Sequence, residues 1–172
     1  AMTDSAALAH LPLLADADLA GALRRAHPDW RAPLEALNEA RPEAVAALHE
    51  AFVAAGARLL RTHTAGAHPL LLAPHALEGR AEALNNSGSA LARRALGGAG
   101  FVMGTLGAPP RAGAVHEPDW QRGHAEQMIY LSDTGVDFFL LHHFDRLEDA
   151  LAVTRQARRL SDAPVLAALR LD

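Results

Sequence analysis

Thr62-His63-Thr64 closes the apolar part of "RLLRTHTAGAH" (58–68) and sets an imidazole between two hydroxyls, just ahead of a glycine and a second histidine. Two more imidazoles, His142 and His143, end the apolar run "VDFFLLHH", and Asp16 follows "LPLLA". Imidazole and carboxylate hold zinc, iron or copper where thiolates are missing, and the sequence contains no cysteine. One chemical reading is therefore a metal or acid–base site built from Asp16, His63, His142 and His143. Neighbouring strand residues face opposite ways, so His142 and His143 would offer only one ring to a common site. The plainer reading makes these residues hydrogen-bonded polar groups in a wet pocket. Within these residues disulfides, thiolate nucleophiles and thiolate-bound zinc are excluded.

The elements that must position them alternate. Apolar runs at 11–15, 57–62, 100–106, 136–142 and 163–169 are separated by helical stretches, among them 78–96, 118–134 and 146–160. The clearest helix follows Pro42, with Glu43 in its first turn, Val45, Leu48, Phe52 and Val53 on one stripe, and Gly56 as the stop. Strands alternating with helices pair in parallel through right-handed crossovers. The runs are apolar on both faces, as buried parallel strands are. An open doubly wound sheet and a piece of a barrel both fit, and in either the ligand meets the C-terminal strand ends. Asp16, Thr62, His63, Thr64 and His142 fall at such ends.

Other residues read more plainly. "GTLGAPP" (104–110) is a tight strand-end loop without a dinucleotide fingerprint. His49 and Phe52 are packing residues, and Trp30 and Trp120 are apolar anchors. His10, His27, His75, His116 and His124 are expected to face solvent. Ser87 and Ser89 have no histidine–acid arrangement near them.

Half of the 172 residues are hydrophobic and 21% are charged, which suits one globular domain. A net charge of −4 gives no footprint for nucleic acid. No apolar stretch approaches the roughly 20 residues that span a bilayer, and no secretory signal is visible, so the expected location is cytoplasmic. Ala1-Met2 reads as a tag remnant, residues 1–10 as disordered or tag-derived, and 11–172 as one domain.

From about Leu11 onward the chain resembles the first half of the homocysteine S-methyltransferase domain. The resemblance runs through Arg41-Pro42-Glu43, His49, Phe52, "AAGA" (54–57), Thr62 and Thr64. It continues at Leu84-Asn85, "GTLG" (104–107), Glu126-Gln127, "GVDFFLL" (135–141), Phe144 and Asp149-Ala150. It implies an α/β fold in which parallel (β/α) units form half to five-eighths of a TIM-type barrel. It also implies methyl transfer to a thiol in methionine and one-carbon metabolism. The substrate pocket would be Asp16, Thr62, His63, Thr64, Gly104 and His142, with a structural hydrogen bond at Asn85; no catalytic residue is assigned.

The departures from that family matter. Its members are eight-stranded barrels whose later strands carry the cysteines of a zinc site, and this chain reads as ending after strand five. The family's Asp-Gly is Asp16-Ala17, its Thr-Asn-Thr-Phe is Thr62-His63-Thr64-Ala65, and its Glu-Thr-Phe is His142-His143-Phe144. An imidazole thus replaces a carboxylate expected to help hold the amino acid's ammonium. Zinc is expected only if a partner chain supplies the cysteines, and methyl transfer only once the barrel is completed. "VDFFLL" and "APVLAAL" would leave an apolar face and a strand edge uncovered, which calls for a homodimer or a complementary half-barrel chain. The alternatives are a non-catalytic binding or assembly module, or the histidine-based metal site with another reaction.

Overall fold

The computed structural model describes residues 13–109 and 117–170, so the expectations for residues 1–10 and for His10 and His116 lie outside the described residues. Four strands, β1 (Leu59–Arg61), β2 (Phe101–Gly107), β3 (Phe138–Phe144) and β4 (Val165–Leu169), lie side by side in chain order. All three pairings are parallel. Helices α1 (Leu19–Ala26), α2 (Leu37–Ala40) and α3 (Pro42–Ala54) precede β1. Helices α4 (Pro69–Leu72) and α5 (Ala81–Leu96) join β1 to β2, α6 (Glu117–Asp133) joins β2 to β3, and α7 (Leu147–Leu160) joins β3 to β4. A doubly wound sheet reverses its strand order at a switch point; this one does not, and its order is that of a barrel segment.

Helix ends follow local chemistry. Pro42 opens α3, where its missing N–H costs nothing, and Gly56 beyond its end adopts φ 101°. Helix α7 carries Glu148 and Asp149 in its first turn and Arg158 and Arg159 in its last, matching the helix dipole at both ends.

Side chains alternate across the sheet. Leu60 and Val102 bury under Ala92 and Leu96 of α5. Leu106, Phe139, Leu141 and Phe144 bury under Met128 and Leu131 of α6 and Val153 and Ala157 of α7. On the opposite face Met103, Phe138 and Leu140 pack together beside Leu59 and Phe101. That face opens towards β4, where Leu166, paired with Leu140, is 45% exposed.

Two expectations about strands change. The run 11–15 does not form a strand among the described residues; Ala15 makes one isolated parallel bridge to Leu59. Beyond that bridge the Arg61 N–H is taken by the Asp16 side chain and not by a ladder carbonyl. The segment "GTLG" belongs to β2, which continues through Gly107. Gly104 sits mid-strand with its Cα–H towards the helices: an added Cβ would lie 3.1 Å from Leu131 and 3.2 Å from Val136.

Phe139 stands at the centre of the largest core cluster with no exposed surface. Phe139→Ala should lower the unfolding free energy by about 3–5 kcal/mol, measured by urea denaturation at neutral pH.

Candidate functional site

The C-terminal ends of β1, β2 and β3 border an open cleft whose walls include Asp18, Glu35, Arg61, Thr62, His63, Thr64, Thr105 and His142. Arg61, the last residue of β1, organises one side of it. Its Nε–H donates to Asp16 Oδ1 at 2.9 Å, and its backbone N–H donates to Asp16 Oδ2 at 3.1 Å. The Nη2 group donates to the carbonyls of Asp16 (3.2 Å) and Ala17. From Nη1 a hydrogen bond of 3.2 Å reaches His142 Nε2. A guanidinium has no acceptor, so His142 Nε2 must accept, and the ring is neutral with its proton on Nδ1. Its pKa agrees: burial, then His143, then Arg61 push it down to about 4. Asp16 has no side-chain exposure, and burial raises its pKa while Arg61 pulls it back.

The two threonines serve the sheet. Beyond the Thr62 N–H, which still donates to Met103 O at 2.9 Å, side chains continue the β1–β2 ladder. Thr105 N–H donates to Thr62 Oγ1 at 2.9 Å, and Thr64 Oγ1 donates to Thr105 O at 2.9 Å. The hydroxyls lie 2.6 Å apart, and since Thr64 has given its hydrogen away, Thr62 donates to Thr64. Both hydroxyl hydrogens are thereby committed. Asn38 Nδ2 donates to His63 O (2.8 Å) and Gln127 Nε2 to Thr64 O (2.6 Å). Asn85 makes its expected structural bonds, donating to Ala67 O and Ala81 O and accepting from Gln127. Glu35 Oε1 takes the Gly66 N–H at 2.8 Å, and a Cβ at Gly66 would stand 2.7 Å from that oxygen. His63 is buried beside Glu35, its Nε2 has no partner among the described residues, and burial lowers its pKa.

A second histidine group lies behind the cleft. His68 caps α4, accepting Leu70 N–H at Nδ1 and donating from Nε2 to Trp120 O at 3.1 Å. Its ring stacks on Trp120 at 3.9 Å, and His124 meets both edge-on at 5.0 and 4.8 Å. His124 was expected at the surface and is instead fully buried, donating from Nε2 to Gly107 O at 3.0 Å. Trp120, His124, Gln127, Met128 and Leu131 form a helical stripe on α6 that could have revealed this.

A sequence model of the homocysteine S-methyltransferase family matches residues 12–172. The chain belongs to this family. Among solved structures it is similar to the homocysteine methyltransferase MmuM from Escherichia coli. The metallated form has a TM-score of 0.81 at 21% identity, covering 97% of this chain and 66% of that one. The oxidized form gives 0.80 at 23%, covering 94% and 63%. This chain thus spans less than two thirds of either structure's chain, and its fold is a partial TIM-type barrel. No curated protein matches the sequence.

Within the family frame, the expected pocket residues divide. Thr62, His63, Thr64 and His142 line the cleft, Asp16 lies behind Arg61, and Gly104 lies outside it, facing the helices. His142 and His143 do not point to opposite faces. The ladder slips between His142 and Phe144, His143 takes φ 59°, and the two rings stack at 3.7 Å. The metal reading fails for a physical reason: among the described residues no three His, Asp or Glu side chains gather as a ligand set, and a guanidinium already sits between Asp16 and His142. With no cysteine in the sequence either, these residues do not fit the family's zinc. Sequence reading missed Arg61; its signal was a lone cation ending an apolar strand.

Two outcomes follow. Arg61→Met strands the buried Asp16 carboxylate and should cost about 3–5 kcal/mol, most of it recovered in R61M/D16N, by chemical denaturation. The second concerns acid. Folded-state pKa values of about 4 for His68 and about 3 for His124 lie below the unfolded value near 6.5. Above pH 6.5 both rings are neutral folded or unfolded. Below it the unfolded chain binds more protons, so stability falls until the folded pKa is reached, by about 1.4 kcal/mol per pH unit per ring. Urea midpoints from pH 7 to 4.5 should show this slope, and His124→Gln should flatten it.

Proposed function

We propose that this chain is the amino-acid-binding part of a homocysteine S-methyltransferase barrel, acting in the cytoplasm in methionine supply. In this reading it methylates a thiol only when a further segment bearing cysteine ligands closes the fold. The observation that carries the proposal is the match itself: 97% of this chain superposes on 66% of the metallated MmuM chain, so about a third of that fold has no counterpart here. The open side falls where a closing segment would join. Among the described residues strand β4 pairs only with β3, and Leu166 and Leu169 are exposed on it. Leu147 and Leu151, one helical turn apart, are exposed on α7 beside it. A complementary (β/α) segment fits this edge better than a second copy, because it supplies the missing part of the same fold.

One observation favours a second reading, a non-catalytic binding module. The Thr62 and Thr64 hydroxyls and the Asp16 carboxylate are all committed inside the protein. The assay separates the two. Homocysteine and sulfonium or quaternary-ammonium methyl donors incubated with the purified 172-residue chain should yield no methionine above the blank. Adding a fragment with the last three (β/α) units and cysteines of a family member should restore formation. Methionine made by the chain alone would overturn the need for completion, and failure of complementation with binding retained would favour the binding module.

A further inference from the structure

We propose that Arg61 makes this cleft a carboxylate site, so that a ligand docks with its carboxylate on the open Nη1 edge of the guanidinium rather than with an ammonium group on Asp16. This rests on the amino-acid-binding reading above and assigns the orientation of the ligand within it.

An ammonium site needs a carboxylate that faces the ligand. Asp16 does not, since its side chain has no exposed surface and both its oxygens accept from Arg61. The position where the family resemblance calls for a second carboxylate holds His142, whose ring is neutral because its Nε2 accepts from Arg61. The ion pair is therefore oriented: the anion lies behind, and the cation, with 21% of its side chain exposed, lies in front.

Arg61 has five N–H donors, and the described contacts use four. Nε–H goes to Asp16 Oδ1, the two Nη2 hydrogens go to the Asp16 and Ala17 carbonyls, and one Nη1 hydrogen goes to His142. The second Nη1 hydrogen has no acceptor among the described residues. The other polar groups nearby do not compete, because the Thr62 and Thr64 hydroxyl hydrogens are held within the β1–β2 ladder and His63 Nε2 is sealed from solvent. Asp16 pins the guanidinium along its other edge, so little side-chain freedom is lost when an anion docks. Two carboxylates do border the cleft, Glu35 and Asp18. Glu35 holds the Gly66 N–H, and Asp18 holds the Gly21 N–H with Arg25 3.8 Å away. Both border the cleft, Asp18 near enough to His142 to raise its pKa against the other influences, and they suit the ammonium end of the same zwitterion.

Three thiols separate the contributions. Homocysteine has both charged groups, 4-mercaptobutyrate keeps the carboxylate alone, and 3-aminopropanethiol keeps the amine alone. Each is titrated into the purified chain by calorimetry while the His142 ring resonance is followed by NMR, with butyrate as a thiol-free control. We expect 4-mercaptobutyrate to bind within about tenfold of homocysteine and to shift His142. The amine alone should bind about a hundredfold more weakly than 4-mercaptobutyrate, the range of one or two charge-assisted hydrogen bonds. Arg61→Lys, and R61M/D16N as the charge-neutral control, should remove the preference for the carboxylate. Equal or tighter binding of 3-aminopropanethiol overturns the assignment and leaves the homocysteine reading standing. Butyrate binding as well as its thiol analogue supports the assignment and removes the homocysteine reading. If no carboxylate moves His142, the assignment fails.

Discussion

The ion pair between Arg61 and Asp16 fixes the geometry of the whole strand-end region. A carboxylate with no exposed surface is held in a protein interior only by opposite charge and full hydrogen bonding. Arg61 supplies both, through its side chain and its own backbone N–H. The segment after Ala15 is thereby fastened to the end of β1, which a single isolated bridge would not do. Through Nη1 the same guanidinium sets the tautomer of His142 on β3, two strands away. One side chain thus ties together three segments that regular ladder hydrogen bonds join only loosely.

Around that pair, polar side chains do work usually left to the backbone. Thr62, Thr64 and Thr105 extend the β1–β2 ladder, and Asn38, Asn85 and Gln127 hold the carbonyls that follow β1. A buried network of this kind rigidifies its surroundings only when its members are satisfied. Here the donors of that network are committed, though the Asn38 and Gln127 amide oxygens are not, and they form the wall. The Nη1 hydrogen of Arg61 left without an acceptor among the described residues marks the place where a ligand can gain something. Rigidity and recognition are divided between neighbouring residues of one short sequence, Arg61 to Thr64.

Much of this was legible in the sequence, for reasons that can be named. The parallel sheet follows from apolar runs separated by helical stripes, and the helix limits follow from Pro42, Gly56 and the charges at the ends of α7. The structural role of Asn85 was readable only through the family resemblance at Leu84-Asn85. Arg61 was not, because the worth of a strand-end cation depends on a carboxylate 45 residues earlier in the chain. The bulge at His143 was hidden for another reason: a non-glycine residue at φ 59° carries no local signature, and alternation predicts the wrong face for it. The solvent-facing expectation for His124 placed it in a loop or helix end and overlooked its place on the stripe with Met128 and Leu131. Among the described residues of 11–15 only one bridge forms, because the Asp16 side chain takes the Arg61 N–H that a longer ladder would use.

Gly66 gives the arrangement a consequence for how the protein can change over generations. A methyl group there would stand 2.7 Å from the Glu35 carboxylate, so the loop after β1 lies directly against that side chain. A larger residue at this position must push the Glu35 carboxylate aside and release the N–H it holds, and the threonines are constrained by the ladder they complete. That leaves the cleft-lining positions whose side chains carry neither the ion pair nor the ladder, Ala20 and Ala65 among them, where descendants of this chain can acquire a new ligand preference without rebuilding the scaffold. Divergence within such a lineage would be concentrated there, with the rest of the strand-end architecture inherited intact.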